Sequence, residues 1–123
     1  MDTGEFEQIA QEEFESLPPA FLERMENVRV VVEYSPEDSL LKKAGVAPGH
    51  SLLGLYQGIP ITHRDTGYGA YPVVPDTITL FQRNIESVVS NANQLRLKIR
   101  EVLIHEIGHY FGMNEEQIRH AGY

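Results

Sequence analysis

The stretch His105-Glu106-Ile107-Gly108-His109-Tyr110-Phe111-Gly112 closes a strongly helical pattern and reads H-E-x-x-H-x-x-G. On an α-helix, residues four apart share a face with Cβ atoms about 6 Å apart, so two imidazoles can close on one ion at about 2.0–2.1 Å. Glu106 sits one step round the helix. It is too far round to be an obvious ligand, but it is well placed as general base toward a water on the metal. Such a site needs a rigid platform, and Leu95, Ile99, Val102, Leu103 and Ile107 recur at the helical spacing that supplies one. The bland alternative is two histidines that merely pack or face solvent.

The residues after the motif carry the next step. Gly108 inside the helix costs about 1 kcal/mol relative to alanine, which points to close approach of another element or to a neutral relic. Gly112 follows the last periodic residues and suits a left-handed C-cap. Beyond that turn stand Glu115 and Glu116, and a carboxylate there completes three protein ligands with a fourth position open. Glu115 is the first choice, with Glu116 and His120 as alternatives. Asn114-Glu115-Glu116-Gln117 also reads as a helix start, with Asn114 as N-cap and Gln117 at the capping-box position. Acidic residues suit such a first turn for their charge alone, and Glu116 and His120, four apart, can pair with each other.

His105-Glu106-x-x-His109-x-x-Gly112, with Leu52-Leu53-Gly54-Leu55-Tyr56-Gln57-Gly58 and Pro75-Asp76-Thr77-Ile78-Thr79-Leu80-Phe81, resembles the zincin metallopeptidases over the full chain. The likeness is closer still to the small bacterial single-domain minimal zincins. In the related Asp-zincins an aspartate three residues after the glycine is the third ligand. Here that place holds Glu115, whose extra methylene shifts where the carboxylate reaches. The methionine-bearing turn of one large zincin branch has no counterpart, since Met113 follows the glycine too soon.

A chain of 123 residues can bury one core. The expectation is a single zincin-like metallopeptidase domain over residues 1–123. Hydrophobic and charged fractions of 41% and 23% are those of an ordinary globular protein. A formal net charge of −8 argues against nucleic-acid or anionic-membrane partners and suits a cation site. The acidic residues Glu5, Glu7, Glu12, Glu13 and Glu15 read as a solvated helix face. With no cysteine, the ligands must be histidine and carboxylate. That set favours Zn2+, although cobalt, nickel or manganese also fit. No basic-then-apolar leader and no apolar run of about 18 residues is present, which leads to the expectation of a cytoplasmic protein.

Phe6, Ile9, Ala10, Phe14 and Leu17 predict an amphipathic helix stopped by Pro18-Pro19, and a second short helix from Pro19 turns Phe21, Leu22 and Met25 inward. Val28–Tyr34 reads as a central strand, with a helical turn around Leu40 and Leu41. Ser51–Gln57 reads as a second strand, with Ile61-Thr62 as its return. Arg64–Pro75 reads as a loop, Thr77–Phe81 as a short edge strand able to pair with an extended peptide, and the segment from Asn84 as helical with a break near Asn91 to Asn93. The order fits an α+β fold, a small mixed twisted sheet packed with helices that include the long metal-binding one.

These readings imply a peptidase with zinc on His105, His109 and Glu115 and with Glu106 as general base. Tyr123, His120, Tyr68 and Tyr71 are the candidates for the oxyanion donor. Only residues 110–123 follow His109, so the expected cleft is shallow. Its partner is a peptide or protein substrate in extended form, gripped with help from a homo-oligomer or a partner chain that completes the cleft. Two other classes stand beside this one: a zinc-containing module that binds peptide or protein without hydrolysis, and an interaction protein in which the motif is vestigial.

Overall fold

The computed structural model describes residues 1–25, 27–43, 52–58 and 76–120. Helices α1 (Thr3–Glu15) and α2 (Pro19–Leu22) precede strand β1 (Val28–Glu33) and helix α3 (Asp38–Lys43). Strands β2 (Gly54–Gln57) and β3 (Asp76–Phe81) lead into α4 (Gln82–Glu86), α5 (Ala92–Tyr110) and α6 (Glu115–His120). This is the expected mixed α+β architecture. Among the described residues no helix is long and apolar enough to cross a membrane.

Local chemistry sets the helix ends. Asp2 caps α1 by accepting the Glu5 N–H at 2.8 Å. The chain leaves α1 at Ser16, buries Leu17 and restarts with Pro19 in the first turn of α2, where its missing N–H costs nothing. Asn91 caps α5 by accepting the Gln94 N–H at 2.9 Å. The break expected near Asn91 to Asn93 therefore ends at Asn91, with Asn93 already helical.

The sheet order is β1-β3-β2, with β1 parallel and β2 antiparallel to β3. Thr77–Phe81 is thus the core of the central strand, not an edge. Ile78, Thr79, Leu80 and Phe81 are all buried. Pairing with β1 on one side and β2 on the other makes β3 central, and its near-continuous burial shows that both of its faces are covered. Among the described residues, Val28–Tyr34, expected to be central, lies at one side of the sheet as β1, and β2 is the other outermost strand.

One face of the sheet packs on α1 and α5. Ile78 and Leu80 meet Leu95, Ile99, Val102, Leu103 and Ile107 of α5, with Phe6 and Ala10 of α1 closing the core. Met25 is buried and Leu22 packs against the core, but Phe21, expected inward, stays exposed with its ring 6.4 Å from that of Phe111. The acidic face of α1 is more than a solvated surface. Glu12 and Glu13 pair with Arg96 of α5 at 2.9 and 3.4 Å, and the hydrogen bond to Glu12 raises the affinity of that guanidinium for its proton. The proposed return strand at Ile61-Thr62, the loop over residues 64–75 and Ser51, the first residue of the expected second strand, lie outside the described residues, while Leu52 and Leu53 precede that strand, which starts at Gly54.

Candidate metal centre

Helix α5 presents His105 and His109 on one face, with ring centroids 5.3 Å apart. The helix then stops abruptly. Met113 N–H donates to Gly108 C=O at 3.0 Å and Gly112 N–H to His109 C=O at 2.9 Å, the paired bonds of a Schellman end, with Gly112 at φ +82°. Gly108 gives the returning chain room. A Cβ there would lie 2.8 Å from Ile118 Cγ1, so α6 can pack directly on α5.

A capping box aims the next side chain. Asn114 Oδ1 accepts the Gln117 N–H at 2.9 Å, and Gln117 Oε1 accepts the Asn114 N–H at 2.8 Å. Glu115 is the first residue of the helix so capped, and its carboxylate is brought over both imidazoles. Oε1 lies 2.8 Å from His109 Nε2, and Oε2 lies 2.9 Å from His105 Nε2. The capping and ligand readings of this tetrapeptide are therefore compatible, because the cap is what orients Glu115. Glu116 and His120, both exposed and 3.9 Å apart, pair loosely away from this cluster. Tyr68, Tyr71 and Tyr123 lie outside the described residues.

The donor set fits a divalent cation. His109 Nδ1 lies 3.0 Å from Met113 C=O, which can only accept, so Nδ1 carries a hydrogen and Nε2 turns to Glu115. In the neutral ring that Nε2 is a bare lone pair 2.8 Å from a carboxylate oxygen. Two bare acceptors do not rest at that distance, so the pair is completed by a proton or a metal ion between them. The ligand atoms of His105, His109 and Glu115 all lie within 4.8 Å of one another. Bonds of about 2.0–2.1 Å in a tetrahedron separate donors by about 3.3 Å, so the Glu115 carboxylate, now 2.8 and 2.9 Å from the two rings, would draw back by a few tenths of an ångström to admit an ion. Two imidazoles and a carboxylate with no thiolate are a combination zinc accepts.

Beside the cluster, Glu106 is only 7% exposed. Burial pushes its carboxyl above the ordinary glutamate range, against the opposing charge of His109 and His105 and a hydrogen bond from Tyr56. Glu115 behaves oppositely. Its partial burial would raise it, but hydrogen bonds from His105 and His109 hold it below that range.

Tyr56 is the neighbour of this group that sequence reasoning missed. Its backbone N–H, on β2, donates to Glu106 Oε1 at 2.9 Å. Strand and helix come this close because position 54 has no side chain: a Cβ there would lie 2.5 Å from Val102 Cγ1. The Tyr56 ring packs edge-on against Tyr110 at 5.9 Å, and its hydroxyl donates to the buried carboxylate of Asp76 at 3.1 Å. Between β2 and α5 runs a cleft of about 740 Å³ whose wall includes Leu52, Leu53, Val102, Met113 and Asn114 along with the His/Glu cluster.

A sequence profile described as Zincin-like metallopeptidase matches residues 25–123, which include this helix, the turn after it and the whole sheet. The chain belongs to that family. A conserved hypothetical protein from T. thermophilus has a similar fold, with a TM-score of 0.57 at 19% identity over 90% of this chain and 94% of the other. No curated protein matches. Membership in a zincin-like family accords with a metal group built from a helix and the turn beyond it, and the likeness at 19% identity speaks to the fold alone.

Proposed function

We propose that this zincin-like protein is a zinc-dependent peptidase in which His105, His109 and Glu115 hold the metal and Glu106 is the general base. The observation that carries the reading is the convergence of two imidazoles and one carboxylate beside a second, buried carboxylate that takes no part in the cluster. Held by His105, His109 and Glu115, zinc would supply a bound water with a pKa lowered to about 7 and a Lewis acid toward the scissile carbonyl.

Glu106 accepts the proton of the attacking water and returns it to the leaving amine, work worth about 10²–10⁴-fold in rate. Its raised proton affinity suits both halves of that exchange. The Tyr56 N–H holds one carboxylate oxygen, which leaves the other for the proton transfer. Substrate lies in the cleft between β2 and α5 in extended form. By the alternation of an antiparallel ladder, the Leu53 C=O that takes the Phe81 N–H leaves the backbone groups of Gly54 turned away from β3, where an extended chain can meet them.

The test is elemental analysis of the purified protein, followed by digestion of a peptide library beside the Glu106→Gln variant. About one zinc per chain, with cleavage that the variant lacks, supports the proposal. Equal metal and peptide binding in both proteins without cleavage in either makes the domain a zinc-containing binding module. No metal uptake overturns both readings.

A further inference from the structure

Among the described residues, the edge of the sheet farthest from the metal cluster is β1, Val-Arg-Val-Val-Val-Glu. Its two faces differ. Val28, Val30 and Val32 pack against the core, whereas Arg29 and Glu33 are exposed, with no hydrogen bond or ion pair among the described residues. The backbone alternates as well. The Asp76 N–H donates to Asn27 C=O at 3.0 Å in the register Val28↔Asp76, so the N–H and C=O groups of Arg29, Val31 and Glu33 point at β3. Those of Val28, Val30 and Val32 point away from the sheet.

We infer that β1 is a self-association edge, pairing antiparallel with β1 of a second copy about a two-fold axis at Val31 to make one continuous sheet. The register follows from two requirements. Outward-pointing groups must face outward-pointing groups, so even positions pair with even ones. An axis at Val31 sets Val30 opposite Val32 of the second copy, and Arg29 opposite Glu33.

Axes at Val30 or Val32 also satisfy the backbone, but they set Arg29 or Glu33 against valine. Only the axis at Val31 joins the charges. The Arg29–Glu33 pairs then fall at non-hydrogen-bonded positions, where Cα atoms approach to about 4.5 Å and side chains are closest. The strand is charge-complementary to itself, which favours a second copy over an unrelated segment as its occupant.

A six-residue strand is a small interface, and each copy carries a net charge of −8. The dimer is accordingly weak, with dissociation in the micromolar range or above. Because β2 and the metal cluster lie at the opposite edge, pairing through β1 leaves both clefts open. The inference is independent of the peptidase reading.

Sedimentation velocity on the full chain, from about 1 µM to about 1 mM, tests it, alongside Arg29→Glu, Glu33→Arg and the double swap. Wild type is expected to dimerise, each single variant to weaken the dimer about tenfold or more, and the double swap to restore it within about threefold. Arg29→Glu makes the chain more acidic and Glu33→Arg less acidic, so loss in both cannot come from net charge. Both positions are exposed, and circular dichroism with zinc content checks that each variant folds. A wild type monomeric throughout, a dimer indifferent to the single changes, or a double swap as weak as either single variant overturns the inference.

Discussion

The Tyr56 N–H reaches across from β2 to hold Glu106 Oε1 at 2.9 Å, so the buried acid of α5 is positioned by the sheet and not by its own helix. Glutamine keeps an oxygen for that N–H but carries no charge to bury. The metal-free Glu106→Gln protein should therefore be more stable than metal-free wild type near pH 7 by on the order of 1 kcal/mol, or about 3–5 °C in Tm. The sign of the pH dependence follows from the raised proton affinity of Glu106. Below the ordinary glutamate pKa the group is neutral both folded and unfolded and imposes no penalty; the penalty grows as pH rises through the folded-state value. The gain from Glu106→Gln thus grows with pH and fades on acidification. Chelator-treated melts between about pH 4.5 and 8 measure it, and a gap independent of pH would contradict the assignment.

Gly54 is the second element of the same contact. Adding one methyl places it 2.5 Å from Val102 Cγ1 and 3.2 Å from the Thr79 carbonyl. Gly54→Ala should cost about 1–3 kcal/mol by overpacking. Val102→Ala removes the obstructing methyl, so the double variant should be less destabilised than the sum of the single ones by roughly 1 kcal/mol. Denaturant unfolding of the four proteins checks this; strict additivity would mean that strand and helix yield to each other freely.

What could be read from the chain alone was what depends on neighbours within a helical turn or two. The spacing of Leu95, Ile99, Val102, Leu103 and Ile107 reveals a helix and its buried face, and all five are buried. Gly112 and the Asn114/Gln117 pair announce a turn and a restart within three residues, and both form. Glu115 follows because that local chemistry carries it back over the helix end. The contacts that escaped are distant in sequence. Tyr56 and Glu106 lie 50 positions apart, and nothing in L-L-G-L-Y-Q says which N–H will meet a carboxylate. The strand order escaped for the same reason, since β1 and β3 are neighbours in space while β2 lies between them in sequence. The near-continuous burial of β3 was a readable signal, as T-I-T-L-F offers no charged residue to a solvent face.

The capping box should tune metal affinity without touching the metal. Asn114→Ala removes the Oδ1 that accepts the Gln117 N–H, a change that costs about 0.5–2 kcal/mol at a helix start. Helix α6 has only six residues and cannot persist by its own propensity. Glu115 then loses part of its fixed aim, and zinc affinity should fall about 2- to 30-fold. Asn114→Asp, which retains the cap, should stay close to wild type. Competition against a chromogenic chelator reads the difference; equal affinities in all three proteins would show that Glu115 needs no cap to find its place.

Replacing Glu115 separates its two roles most sharply. In the metal-free protein its pairing with His105 and His109 is worth little, because the side chain is 60% exposed and such pairs contribute well under about 1 kcal/mol. Its lowered pKa means that this small stabilisation is present above the ordinary glutamate value and disappears as pH falls through the folded-state value. Metal-free Glu115→Gln and wild type should therefore melt within a degree or two near pH 7 and converge on acidification. With zinc they should diverge. Loss of a direct ligand ought to exceed the 10- to 100-fold cost of losing an outer partner, so Glu115→Gln should bind zinc at least about 100-fold more weakly and forfeit most of the metal-induced rise in Tm. Glu116→Gln, altered outside the cluster, should keep wild-type affinity within about twofold. If zinc protects the Glu115→Gln protein as fully as wild type while Glu116→Gln loses protection, the third ligand is Glu116, and the capped turn must rearrange by one residue when metal binds.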